Sequence, residues 1–181
     1  MKSTEHQPLS CFPRSRRHAG MAASLLLAGL ACGVPTAQAL STDKDQPINI
    51  EADSVDIDDS KGVSVYRGSV ILTQGSIHLD ADRVTVYHPD KKADKIVAVG
   101  KPVNFRQRPD NSDQDVKGRA LRVEYFAASE DLVLIDEAYL EQGGKSFASD
   151  RITYDRRLAV VKGGAAAQGK QRVQVTLEPV K

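Results

Sequence analysis

The chain writes one short strand-like phrase four times, and its hydrophobic alternation slips by one residue inside the phrase. The copies are "IEADSVDID" (Ile50 to Asp58), "LDADRVTVY" (Leu79 to Tyr87), "KGRALRVEY" (Lys117 to Tyr125) and "FASDRITYD" (Phe147 to Asp155). Around the second copy Ile77, Leu79 and Ala81 share one face, yet after "DR" the apolar positions are Val84 and Val86. The same slip separates Ile50 and Ala52 from Val55 and Ile57, and Phe147 and Ser149 from Ile152 and Tyr154. Side chains alternate strictly along a strand, so one extra residue turns the later half outward unless the chain bends or bulges there. A small residue followed by a polar one suits such a corner. On this reading Ala52, Ala81, Gly118 and Ser149 are equivalent, spaced 29, 37 and 31 residues apart.

A second element alternates with the first: "YRGSVILTQG" (Tyr66 to Gly75), "AVGKPVNFRQ" (Ala98 to Gln107), "LIDEAYLEQG" (Leu134 to Gly143) and "VVKGGAAAQG" (Val160 to Gly169). Repeats of this period signal a stacked architecture. Polar turn clusters such as "DDSKG", "HPDKK", "RPDNSDQD" and "AASED" separate the strands, and almost nothing in the region reads as helix. The expected fold is all-β: an elongated antiparallel β-jellyroll of repeated strand pairs, open at both ends. Each corner passes a strand from one sheet to the sheet facing it. "QPINI" and "RVQVTLEPV" are then left as edges at the two ends of the stack.

The first 39 residues stand apart as a cleavable secretory signal. Arg14, Arg16, Arg17 and His18 form a basic start, Ala19 to Ala31 an apolar run short for a membrane span, and "AQA" (Ala37 to Ala39) a cleavage site. Cys32 could instead carry a lipid, but Gly29 stands where that pattern wants a branched apolar residue. Arg16 and Arg17 could open a twin-arginine signal, but "HAG" follows them in place of apolar residues. Residues 40–181 then form a single domain with no cysteine, since Cys11 and Cys32 leave with the signal. That domain carries 21 Lys and Arg against 23 Asp and Glu, a balance that gives no electrostatic reason to bind nucleic acid.

Chemistry is sparse. His78 lies on the outward phase of its strand and His88 in a turn, with no cysteine or ligand spacing beside them, so no metal site and no cofactor are expected. Asp56, Asp58 and Asp59 resemble part of a calcium loop, but the glycine and terminal Glu of that loop do not follow. The acidic residues fall mainly on polar phases and in turns, which argues against a glycosidase pair and against an enzyme in general. What remains is the apolar interior. Its inward set is Ile48, Ile50, Val70, Leu72, Ile77, Leu79, Val84, Val86, Phe105, Leu121, Val123, Tyr125, Leu140, Phe147, Ile152 and Tyr154.

The stretches "QPINIEADSVDID", "YRGSVILTQGSIHLDADRVTVY", "GKPVNFRQ", "VKGRALRVEY" and "AYLEQ...FASDRITYD" together resemble the LptA/OstA family of periplasmic lipopolysaccharide transport proteins in Gram-negative bacteria. The resemblance runs from Gln46 to about Val175. The middle copy departs from it, carrying Arg119 where the others carry Asp. The resemblance implies a lipopolysaccharide-binding groove lined by the inward set, with Ile48 and Ile50 near the N-terminus and Phe105 and Tyr125 deeper. It also implies head-to-tail self-association and a bridge between LptC-like inner-membrane and LptD-like outer-membrane components. Edge contacts would fall on Gln46, Ile48, Val173, Val175 and Leu177. Two competing expectations are a self-assembling β-scaffold without lipid cargo and an enzyme acting on envelope polysaccharide.

Overall fold

A computed structural model describes residues 43–109 and 112–179; the expected signal segment lies outside these residues. The chain divides after Thr36, and all described residues belong to the second unit, Ala37–Lys181. Ten strands follow in order: β1 (Asn49–Glu51), β2 (Ser54–Asp58), β3 (Val63–Gln74), β4 (Ile77–Tyr87), β5 (Lys95–Gln107), β6 (Val116–Phe126), β7 (Asp131–Gln142), β8 (Lys145–Asp155), β9 (Val160–Gly163) and β10 (Gln174–Leu177). Two single 3-10 turns, Asp43–Asp45 and Gly164–Ala167, are the helical elements among the described residues. None of these is long or apolar enough to cross a membrane.

All ten strands belong to one antiparallel sheet that does not close on itself. Its order is β1-β3-β4-β5-β6-β7-β8-β10, with β2 also on β3 and β9 also on β8. Each end of the sheet is therefore made from two short pieces, split where the longer strands bend. At the far end the expected strand over Val160 to Gly169 stops at Gly163 and gives way to the 3-10 turn. β10 then takes over the rest of that edge on Lys145 to Ala148 of β8.

The expected corners are present and form one line across the sheet. Register breaks fall between Arg67 and Val70, Asp80 and Arg83, Val99 and Val103, Arg119 and Arg122, and Ile135 and Ala138. The repeated phrase turns at small residues: Ala81 faces Val70, Ala120 faces Val103 and Ser149 faces Ala138. Of the intervening strands, β3 and β7 turn by backbone conformation, with positive φ at Gly68 and Ser69 in β3 and at Asp136 and Glu137 in β7. Gly68 has a second constraint, because a β-carbon there would collide with the Asp53 carboxylate, in the bend between β1 and β2.

The line of corners corrects the alignment of the third copy. Arg119 pairs with Asn104, as Asp80 does, and Arg122 pairs with Val99, as Arg83 does. The corner position is therefore Ala120, not Gly118, and Leu121 fills the slot that Asp82 and Asp150 occupy in the flanking copies. Leu121 consequently leaves the inward set. It is half-buried on the outer side, beside Lys101, Pro102, Arg119 and Glu137.

The folded sheet makes two leaves, one carrying the Gln74–Ile77, Gln107–Val116 and Gln142–Lys145 margins and the other the margins at the opposite strand ends. Their inner faces share one apolar cluster in which Val70, Val84, Val103, Leu134, Leu140, Ile152 and Tyr154 are fully buried. Each such side chain contributes about 1.5–3 kcal/mol relative to exposure. On the outer face, Glu124 receives hydrogen bonds from Arg122 Nε at 2.8 Å and an ion pair from Lys95 Nζ at 3.0 Å. Burial pushes its carboxyl up, but the bonds from Lys95 and Arg122 outweigh burial and hold it below the usual 4.5.

Two measurements check this description. Urea unfolding is expected to show Leu134→Ala losing about 2–5 kcal/mol, whereas Leu121→Asp, which restores the residue of the flanking copies, changes stability by less than about 1 kcal/mol. The lowered pKa of Glu124 places its stabilisation above pH about 4.5, lost as the pH falls through the lowered value. Unfolding followed downward from about pH 6 should therefore show a smaller acid loss in Glu124→Gln than in the wild type.

Candidate functional site

Period-2 alternation, reset once at the corner, sends every second side chain of both strand halves between the leaves. Apart from Leu121, the residues expected to face inward do so. Val70, Leu72, Ile77, Leu79, Val84, Val86, Phe105, Val123, Leu140, Ile152 and Tyr154 lie in the buried cluster, and Ile48, Ile50, Tyr125 and Phe147 pack against it. The structure adds Ala98, Leu132 and Leu134, which stood in clear strand runs but were not assigned a face. It also adds Ile96 and Val116, at strand ends.

The interior is tightly filled. A slot between Leu72, Ile77, Leu79, Phe105, Tyr125 and Leu132 has about 30 Å³ of free room, too little for an acyl chain. The phenol oxygen of Tyr154 is buried with no hydrogen-bond partner among the described residues, and burial raises its pKa. A roomier hollow, about 510 Å³, lies outside instead, over the polar rows of His78, Arg106 and Lys117 and of Asp80 and Arg119. His78 sits 3.3 Å from Asp80 there, on the outward phase as expected.

The inward phase continues into both ends of the sheet, where it meets solvent. Ile50 lies opposite Leu72 in β1, and Val55 and Ile57 lie opposite Tyr66 and Ser64 in β2. Val55 and Ile57 are 53% and 57% exposed, so the apolar face reaches the N-terminal edge uncovered. At the other end Val175 pairs with the inward Phe147. Val175 is 50% exposed and Leu177, two residues on, 64%. Val173 precedes the strand and packs over Gly163. Gln46 is exposed, and its carbonyl accepts a hydrogen bond from Gln74 Nε2 at 3.0 Å. Val55 and Ile57 were legible in the slipped alternation but were not assigned to the site.

A polar cluster lies where the free margins of the two leaves meet, opposite the line of corners. Gln107 ends β5 on one leaf, and its Oε1 accepts from Nε of Arg156, just beyond β8 on the other, at 2.9 Å. Asp43 accepts from Gln107 Nε2 at 3.0 Å and from the Ser76 backbone N–H at 2.7 Å. The Arg156 guanidinium also lies over the Tyr125 ring, 5.2 Å from its centre. Burial raises the Tyr125 pKa, while the Arg156 charge opposes that rise. No sequence signal pointed to this cluster, whose members are joined across 49 and 64 residues of chain.

The family described as "LptA/(LptD N-terminal domain) LPS transport protein" matches residues 49–159, nearly the whole span from β1 to the start of β9. Lipopolysaccharide export system protein LptH of Pseudomonas aeruginosa is 37% identical over 158 residues, covering 83% of this chain and 90% of that protein. Lipopolysaccharide export system protein LptA of Escherichia coli K12 is 40% identical over 127 residues, covering 69% of this chain and 68% of that protein. The crystal structure of LptH from Pseudomonas aeruginosa, described as the LptA homologous periplasmic component of the lipopolysaccharide transport device, superposes with a TM-score of 0.70. Sequence identity in that comparison is 36%, and it covers 76% of this chain and 99% of the other. The folded, open-ended sheet and these likenesses agree: the chain belongs to the LptA/(LptD N-terminal domain) family of lipopolysaccharide transport proteins.

Proposed function

We propose that this protein is a periplasmic lipopolysaccharide carrier that shields acyl chains between its two leaves and assembles head to tail into a bridge. The observation that carries the reading is the single apolar interior whose inward-facing residues emerge into solvent at both edges of the sheet. An acyl chain of about twelve carbons exposed to water costs on the order of 10 kcal/mol at roughly 0.8 kcal/mol per methylene. A greasy path that continues from one copy to the next removes that penalty across an aqueous gap. Because the slot holds about 30 Å³, the leaves must part to admit a chain. The role is binding and transfer, not catalysis, and directional flow draws its energy from elsewhere.

In this reading residues 1–39 are a signal removed on secretion, and residues 40–181 are the working domain. The bridge joins an N-terminal edge, with Gln46 and Ile48, to a C-terminal edge, with Val173, Val175 and Leu177. Pairing two different edges gives an open filament instead of a closed ring. The same geometry suits capping by LptC-like and LptD-like partners at the two ends. The tight interior also favours a second reading, a self-assembling scaffold with no cargo, and one experiment separates the two.

A photo-crosslinking residue placed at Ile50, with an outward control at Glu51, is expected to yield covalent lipopolysaccharide in intact cells at Ile50 alone. Folded protein without product at either position would support the scaffold. In purified protein, Ile50→Asp should weaken lipopolysaccharide binding by about tenfold or more with little change in thermal midpoint, since Ile50 is only half-buried and a buried charge must be desolvated when the chain enters. Truncation after Arg172 removes β10 and should reduce oligomer size in sedimentation velocity. Unchanged size would place the self-contact elsewhere.

A further inference from the structure

The polar cluster at the meeting margins has the composition of an anion cradle, already occupied by the chain's own carboxylate. Four kinds of donor converge on Asp43: the Ser76 backbone N–H at 2.7 Å, the Ser76 hydroxyl at 2.8 Å, the Gln107 amide at 3.0 Å and the Arg156 guanidinium at 3.9 Å. The last distance is too long for a hydrogen bond. Arg156 Nη2 accordingly has no hydrogen-bond partner among the described residues, although the Arg156 side chain is only 2% exposed. A buried cationic donor without an acceptor is destabilising, so the site is left one contact short. Gly75 leaves room for the Asp43 carboxylate, because a β-carbon there would collide with Asp43 Oδ1.

Arg156 also lines the apolar slot, beside Leu72, Ile77, Leu79, Phe105 and Leu132. One residue thus faces both the carboxylate-filled cradle and an apolar slot between the leaves. Asp43 is held by these side-chain contacts and not by a strand ladder. It sits in a single 3-10 turn outside the ten-stranded sheet, so its departure would break no strand pairing. A planar carboxylate does not reach Nη2; a tetrahedral phosphoryl group offers more oxygens and more charge to the same donors.

We propose that Asp43 is a built-in stand-in for the phosphoryl group of an acylated ligand. When the ligand binds, its phosphoryl group takes the place of the Asp43 carboxylate on Ser76, Gln107 and Arg156, and an acyl chain enters the adjoining slot as the margins part. The inference rests on the lipid-carrier reading above and adds the polar half of the site. It makes the seam a lateral entry that opens to ligands carrying both a chain and an anion.

The test measures equilibrium co-elution of radiolabelled bis-phosphorylated lipid A, and of the same lipid enzymatically dephosphorylated, with the mature protein. The wild type should prefer the phosphorylated lipid by roughly tenfold or more, as expected for charge-assisted hydrogen bonds. Arg156→Met should abolish that preference and Arg156→Lys should keep part of it. Asp43→Asn, which lies off the sheet and leaves its ladders intact, should raise affinity for the phosphorylated lipid more than for the dephosphorylated one. A preference unchanged in Arg156→Met, or an Asp43→Asn gain equal for both lipids, would overturn the proposal while leaving the carrier reading standing. Binding of neither lipid by the wild type would overturn both. Inorganic phosphate that binds the wild type as tightly as the phosphorylated lipid would also overturn it, because the chain would then contribute nothing to the site.

Discussion

The structure depends on one local constraint: a strand whose inward phase changes at its middle cannot lie in a flat sheet and keep its apolar residues buried. Every long strand here meets that constraint at the same height, so the bends line up and the sheet folds across them. Half of the strands achieve the bend with a small residue at the inner corner, such as Ala81 or Ala120. Two of their neighbours, β3 and β7, achieve it with left-handed backbone, at Gly68 and Ser69 and at Asp136 and Glu137.

Folding a single sheet onto itself has two consequences that bear on function. The fold line is sealed by covalent chain, whereas the opposite margins meet through side chains, with Gln107 bonded to Arg156 across them. The ends of the stack cannot be sealed at all, because a linear array of strands always has a first and a last. At both ends apolar inward-phase residues, Val55 and Ile57 or Val175 and Leu177, stay substantially exposed. Exposed edges with an apolar inner face are a hazard for an isolated protein and an asset for one that must join another copy or pass on a lipid.

Where reading the sequence succeeded, it did so on local grounds. Alternation assigned Leu72, Leu79, Val84, Phe105 and Tyr154 to the interior because each strand long enough to alternate also states its phase. It failed at Leu121, where Lys117–Tyr125 was matched to its neighbours by the small residue Gly118. Gly118 is two positions early. The true corner is Ala120, identifiable only when Arg119 and Arg122 are seen paired with Asn104 and Val99 of the adjacent strand. A leucine in the slot usually taken by Asp made the copy look shifted, since an apolar residue there mimics an inward one.

The sequence by itself determined the all-β class, the number and phase of the long strands and the position of most corners, because these follow from side-chain periodicity and turn chemistry within a dozen residues. Tertiary structure alone decided which margins meet and what holds them. Asp43, Ser76, Gln107 and Arg156 carry no shared spacing or motif, and each reads as an ordinary polar residue in its own segment. They become a cluster only because the fold line brings strand ends from opposite leaves within hydrogen-bonding distance, in a place dry enough for a guanidinium and a carboxylate to matter.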